Sequence, residues 1–184
     1  MVSRQYTNKR EERYRQAMKR YKKDRQRNVL AKPGEHEFIL VLDHLYAGFN
    51  VPKIFRTAEA FGASEIHLIN IGEFDPAPAK GAFRKVPAKF HYNVADCFAE
   101  LKKRGYTLFT LEADKGKTLY EAKLPVKSAF ILGNEDDGIS FDYAEYPEIE
   151  CLSIPHFGAT ESLNVSIAAS IVMYEYISQL NIKK

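Results

Sequence analysis

Three polar clusters in this sequence combine residue types and spacings that could do chemistry. The first runs from Asn50 through Arg56 to Thr57. The second is Gly133-Asn134-Glu135-Asp136-Asp137-Gly138-Ile139-Ser140. The third starts at Ile154, Pro155 and His156, passes Gly158, and reaches Ser162, Leu163, Asn164 and Ser166. The second and third follow apolar runs that read as covered strands, and the first opens a helix a few residues beyond one. Ligands of open α/β sheets sit outside the carboxyl ends of the strands. An arginine such as Arg56 keeps its charge and can face a developing oxyanion or a phosphate. Gly133 and Gly138 flank three acids and let backbone approach a ligand closely. Ser162 and Asn164 bracket Leu163 at the start of a very apolar helix, one more cap-type residue than a helix end requires, and the glycine-containing loop before them can cradle a ligand with its amides. Each cluster also has a plainer reading. Asn50, Ser162 and Asn164 can be helix caps, Arg56 a surface partner of Glu59, the acids a solvated turn with Ser140 capping a helix, and His156 a packing residue rather than a base.

Several chemistries lack their signatures. No glycine-rich dinucleotide fingerprint, P-loop or Gly-x-Ser-x-Gly elbow is present, so the usual marks of hydride transfer, phosphoryl transfer and serine hydrolysis are missing. The five histidines are scattered, and none pairs with a cysteine at ligand spacing. Asp136 and Asp137 alone are poor support for Mg²⁺, and no metal is expected. Cys97 and Cys151 lie far apart in apolar surroundings, as buried thiols of a cytoplasmic protein would. No apolar run reaches membrane length, and the N-terminus is charged, so no membrane partner is expected.

The elements that must position these clusters follow from periodicity. With 184 residues, 45% of them hydrophobic, the chain can form one domain with a core plus an appendage. Residues 38–42 form a continuous apolar run, as in a parallel strand covered on both faces. A helix is expected from near Pro52 to Phe61, stopped by Gly62, and a second strand over 65–70. Residues 71–88 hold Gly72, Pro76, Pro78, Gly81 and Pro87 and read as a long loop, a length that is often functional. Asn93 caps a helix through Arg104, with Phe98 and Leu101 inward and Gly105 closing it. Strands are expected over 106–111, 128–132 and 149–155, and a last helix over 162–180. That helix is apolar almost all round in its first half, so one side needs cover beyond the sheet, and a second subunit is the simplest choice. Alternating strands and helices imply an α/β fold with a parallel sheet.

Charge is segregated. Residues 1–32 hold twelve Lys or Arg against three Asp or Glu, while the whole chain is only +3. Residues 4–28 lack Pro and Gly and read as a helix, with Tyr14, Met18 and Tyr21 as a narrow apolar stripe. Lys32, Pro33 and Gly34 mark a linker. The expected organisation is a basic N-terminal arm over 1–34 and a body over 35–184. The arm reads either as an RNA-gripping helix or as a solvated or disordered tail. Arg13, Lys19, Arg20 and Lys23 on the arm, with Lys80, Arg84 and Lys85 on the loop, are the candidate phosphate contacts.

Taken in order, the clusters resemble the three motifs of the SpoU family of RNA 2′-O-methyltransferases, within the SPOUT superfamily. The resemblance covers about residues 36–180. Its most specific part is Ile154-Pro155, Gly158 and Ser162-Leu163-Asn164-Val165-Ser166, followed by a helix reaching Tyr174 and Glu175. Three positions depart from the family pattern: Pro52, Asn134 and His156. The resemblance implies an α/β fold whose C-terminal segment threads into a deep trefoil knot, a homodimer, and S-adenosyl-L-methionine as cofactor held by Leu111, Gly133, Gly138, Ile154, Ser162 and Leu163. It further implies transfer of a methyl group to a ribose 2′-hydroxyl of tRNA or rRNA. Arg56 would stabilise the forming alkoxide, Asn50 and Glu135 would position it or the ribose, and Ser162 and Asn164 would flank the reaction centre. The alternatives are an RNA-binding module of the same fold without transferase activity and an unrelated flavodoxin-like nucleotide-binding enzyme.

Overall fold

The computed structural model describes residues 2–113 and 115–182, with side-chain surroundings between residues 9 and 180, so Arg4 of the arm falls outside the described side chains. The strands are β1 (Ile39–Asp43), β2 (Glu65–Ile69), β3 (Ala88–His91), β4 (Thr107–Leu111), β5 (Lys117–Thr118), β6 (Ser128–Leu132) and β7 (Glu150–Ser153). They form one sheet in the order β3-β2-β1-β6-β4-β7-β5, with every pairing parallel. β1 and β6 lie inside and are buried at every position, which is why both read as unbroken apolar runs.

Strand alternation sorts the core into two layers. Leu40, Leu42, Ile66, Leu68, Phe130 and Leu132 meet the helices α2 (Asn50–Ala60) and α4 (Val165–Ile182). Ile39, Val41, Ala129 and Ile131 meet α3 (Val94–Lys103). Val51, Ile54, Phe55 and Ala58 recur at helical spacing on α2 and are fully buried. Cys97, Phe98 and Leu101 do the same on α3, whose cap Asn93 accepts the Asp96 amide at 2.9 Å. On α4 only one side is sunk: Ala169, Val172, Met173 and Tyr176 are buried, while Ile167 and Tyr174 are 51% and 64% exposed. Nothing among the described residues covers that other side.

Several boundaries differ from expectation for local reasons. α4 starts at Val165 rather than 162, because Asn164 takes the cap: its Oδ1 accepts the Ser166 amide at 3.0 Å and the Ser166 hydroxyl at 2.6 Å. Ser140 caps no helix; its amide and hydroxyl donate to Asp43 at 2.7 and 2.8 Å. β3, at the sheet edge, was hidden by its half-buried, mixed residues. The stretch 71–88 is a folded segment rather than an open loop. Two 3₁₀ turns, Ala77–Ala79 and Ala82–Arg84, bring Phe74, Ala79, Ala82, Phe83 and Val86 into the core.

The basic N-terminal stretch forms α1 (Val2–Asn28), and its second half docks on that folded segment. Tyr21 is 3% exposed, lying edge-on to Phe74 and stacked on Phe83 at 5.2 and 5.8 Å between ring centres. Asn28 donates to the carbonyls of Phe83 and Val86 and accepts the Ala88 amide, at 2.5, 2.7 and 3.0 Å. Of the expected stripe, only Tyr21 is deep; Met18 is half-buried and Tyr14 is exposed. Residues 9–16 stand clear of the body, with every side chain exposed. No helix among the described residues is long and apolar enough to cross a membrane.

Candidate active site

The carboxyl ends of β1, β4, β6 and β7 bring the three clusters together. β1 ends at Asp43, and His44 then adopts a left-handed conformation (φ 56°) that non-glycine residues occupy only at a cost of about 1–3 kcal/mol. His44 lends its carbonyl to the Asn134 side-chain amide at 2.7 Å. Asn134 also caps its own turn, accepting the amides of Asp136 and Asp137 at 2.9 and 3.3 Å. Asn134 and Gly138 exchange backbone hydrogen bonds at 2.6 and 3.0 Å and close the acidic turn. Gly133 is needed there, since a Cβ on it would lie 2.4 Å from the Gly138 carbonyl carbon, and Gly138 itself sits at φ 74°. Asn134, one of the departures from the family pattern, thus shapes this turn.

Glu135 then reaches across to the first cluster. Its Oε1 accepts from Asn50 Nδ2 at 2.8 Å and its Oε2 from the Tyr46 amide at 3.2 Å. Asn50 Oδ1 in turn accepts from Asn164 Nδ2 at 3.2 Å. One residue from each cluster is therefore joined in a single chain, Glu135–Asn50–Asn164. Asn50 is not a helix cap: α2 begins at Asn50 with Phe49 before it and has no side-chain cap, because the Asn50 amide group is committed to Glu135 and Asn164. Pro52 needs no partner for its missing N–H in the first turn. The Tyr46 hydroxyl donates to Asp136 at 2.8 Å, and that bond pushes the phenol above its ordinary range.

Beside this chain lies a cleft of about 930 Å³. Its walls include all six expected cofactor residues, Leu111, Gly133, Gly138, Ile154, Ser162 and Leu163, together with Glu135, Asn164 and His156. Apolar wall comes from Leu111, Leu132, Ile154 and Leu163. The charge is one-sided: Glu112, Glu135, Asp136, Asp137, Asp142 and Glu161 face it against Lys115. Tyr143 lies in the same wall, bonded to Thr110 at 2.7 Å and to Glu112; burial first, and the Glu112 carboxylate next, push its phenol far up, so it stays protonated. Sequence reading missed Tyr46, Glu112 and Tyr143. Glu112 follows the β4 residue already singled out, which was a usable signal; Tyr46 and Tyr143 had none.

Arg56 does not line the cleft of its own chain. It lies six residues beyond Asn50 on α2, about 9 Å along the axis and on a different side. It is exposed and has no hydrogen bond or ion pair among the described residues. Glu59, its expected surface partner, binds Lys85 instead at 2.7 Å. Of the candidate RNA contacts, Arg20 forms a two-pronged pair with Asp75 at 2.9 and 3.1 Å, and Arg84 faces Asp24 at 3.7 Å. Arg13, Lys19, Lys23 and Lys80 are exposed without such partners among the described residues. The fold also brings together residues that have no ligand spacing along the chain: His67, His91 and Cys97 converge where β2, β3 and α3 meet.

Open parallel α/β sheets with a loop-lined cleft at their strand ends form a class of ligand-binding and catalytic proteins, and this chain is one of them. More specifically, it belongs to the SpoU rRNA Methylase family, whose model matches residues 37–174. It is 31% identical over 153 residues to the 23S rRNA (guanosine-2′-O-)-methyltransferase RlmB of Neisseria meningitidis, covering 80% of this chain and 61% of that one. A putative TrmH-family RNA methyltransferase from Porphyromonas gingivalis superposes with a TM-score of 0.66 at 34% identity, over 79% of this chain and 61% of that one. An AdoMet-bound rRNA methyltransferase from Sinorhizobium meliloti shares the fold, with a TM-score of 0.71 at 24% identity, over 83% and 60% of the two chains. The chain thus spans from 38% to 73% of the length of these curated relatives, and 61% of the Neisseria enzyme.

Proposed function

We propose that this chain transfers a methyl group from S-adenosyl-L-methionine to a ribose 2′-hydroxyl of tRNA or rRNA, acting as a cytoplasmic homodimer without a metal in the transfer step. The observation that carries this reading is the Glu135–Asn50–Asn164 chain at the rim of the cleft. The residues fit the cofactor. Glycine-tight backbone at Gly133 and Gly138, with Leu111, Ile154 and Leu163, suits an adenosine, and the acidic wall suits a cationic sulfonium while repelling free phosphates. When bound, the cofactor supplies an electrophilic methyl that needs no Lewis acid.

The protein's own task is the nucleophile, since a ribose hydroxyl is a very weak acid. It must be held in line and its forming alkoxide stabilised. Asn50 and Asn164, fixed by Glu135, are placed to orient the sugar beside the cleft. Arg56 keeps its proton to a pKa of about 12 or above and acts as an electrostatic stabiliser rather than a base. Because it stands outside its own cleft, we assign it to the cleft of a partner chain. The bare apolar residues Phe49, Leu163, Ile167 and Tyr174 on and beside α2 and α4 support a two-fold contact there. The knot that the family resemblance implies would be threaded by the segment that runs from β7 into α4.

The RNA grip is assigned to the exposed first half of α1 with Lys19 and Lys23. Replacing Arg13, Lys19 and Lys23 by Gln should lower the slope of log K against log salt by about 2–3, at 0.7–0.9 per phosphate contact, with cofactor binding kept; an unchanged slope in filter binding refutes this role.

The main test is calorimetric titration with S-adenosyl-L-methionine, followed by transfer of labelled methyl to total tRNA and rRNA with mass mapping of ribose methylation. Arg56→Ala should bind cofactor as the parent does and transfer on the order of 10²-fold more slowly. Transfer at the parent rate, or a parent chain that binds no cofactor, would end the proposal.

A further inference from the structure

We propose that His67, His91 and Cys97 bind a divalent transition-metal ion of the zinc type, at the β2–β3 edge of the sheet and apart from the methyl-transfer cleft. One nitrogen of each imidazole and the Cys97 sulfur lie within 4.8 Å of one another. His67 Nδ1 is 3.0 Å from His91 Nε2 and 3.4 Å from Cys97 Sγ. Ligands sharing a tetrahedral zinc with bonds of about 2.0–2.3 Å stand about 3.3–3.6 Å apart, so the set is already near coordinating geometry.

The surroundings select this reading over a bare hydrogen-bond cluster. The other nitrogen of His67, Nε2, lies 2.9 Å from Glu65 Oε2. Arg104 donates to both Glu65 oxygens, at 2.8 and 3.0 Å, and Lys89 Nζ lies 3.3 Å from Oε2, so the carboxylate is held in place behind the ring. With that carboxylate accepting from His67 Nε2, the Nδ1 side of the ring faces the cluster, the carboxylate–histidine arrangement found behind metal ligands. Without an ion, a ring N–H of His91 and the thiol S–H of Cys97 compete for that one lone pair. A divalent ion takes all three groups as ligands and displaces the thiol proton to solvent.

Access and rigidity also fit. His67 and Cys97 are buried, whereas His91 is half-exposed and leaves a solvent side for entry and for a water as fourth ligand. Two ligands stand on paired strands and one on a capped helix, so no segment has to move. Two imidazoles and a thiolate select zinc or cobalt over magnesium and calcium, which take oxygens. The overlapping group Glu65, His67 and Glu100 is a poorer cation site, since Lys89 and Arg104 already neutralise its carboxylates.

The test uses the full chain, stripped with chelator and titrated with Co²⁺. We expect a thiolate-to-cobalt charge-transfer absorption that saturates at one ion per chain and is displaced by Zn²⁺. The chain has two cysteines, which gives an internal control. Cys151→Ser should keep the band, Cys97→Ser should lose it, and His91→Gln should weaken Co²⁺ binding at least about 10-fold. Absence of the band in the unaltered chain overturns the site without recourse to any variant. So does a band that survives Cys97→Ser or disappears in Cys151→Ser with the circular dichroism unchanged.

Discussion

Gly133 sits where two backbones nearly touch, and that contact makes the acidic turn a wall of the cleft rather than a free surface loop. A methyl group added there has no room, since the atoms it would meet are main chain of Gly138 and Ile139 and cannot swing aside. Gly133→Ala should therefore destabilise the fold by about 1–3 kcal/mol and weaken cofactor binding disproportionately. Thermal unfolding and calorimetry measure both, and normal cofactor affinity would show that the turn is not part of the binding wall. The same scale explains why Asn50 was hard to read in isolation. An asparagine at a helix start is usually a cap, and only the arrival of Glu135 and Asn164, from positions 85 and 114 residues away in the chain, gives it other work.

At the scale of elements, α1 is anchored by its end. Asn28 is 7% exposed and satisfies two carbonyls and one amide of the segment beneath it. Asn28→Ala leaves those groups buried and unpaired, which should cost on the order of 2–4 kcal/mol and lower the melting temperature, with release of α1 visible as faster proteolysis within residues 9–28. A melting temperature unchanged within error would mean that Tyr21 and the Arg20–Asp75 pair hold the helix without Asn28. The folded segment 71–88 was read as a loop because its prolines and glycines punctuate it. Its aromatic residues Phe74 and Phe83 were the signal for burial, but it takes α2 through Phe55 and α1 through Tyr21 together to cover them, and α1 lies more than fifty residues earlier.

At the scale of the molecule, the proposed site would be incomplete in one chain, because Arg56 does not line that chain's own cleft. If a two-fold pairs them, mixing must restore what each single variant loses. Co-refolded Arg56→Ala and Glu135→Ala chains should recover about a quarter of the parent transfer rate, since random pairing builds one intact cleft in each mixed dimer. No recovery, with mixed dimers demonstrated by mass spectrometry, would place Arg56 in its own chain's site or outside catalysis.

The sequence by itself determined the strand and helix types, the covered centre of the sheet, the capped α3 and the family, because local periodicity, turn residues and three ordered motifs are properties of near neighbours along the chain. It also named the motif residues of the cleft wall, though not Glu112 or Tyr143, since motif loops at strand ends must share one edge of a parallel sheet. Only the tertiary structure decided that Asn50 bonds to Glu135 rather than capping a helix, that α1 packs into the body, and that His67, His91 and Cys97 meet. Each of these depends on strand order and helix crossing, which bring together residues whose separation along the chain carries no periodic mark.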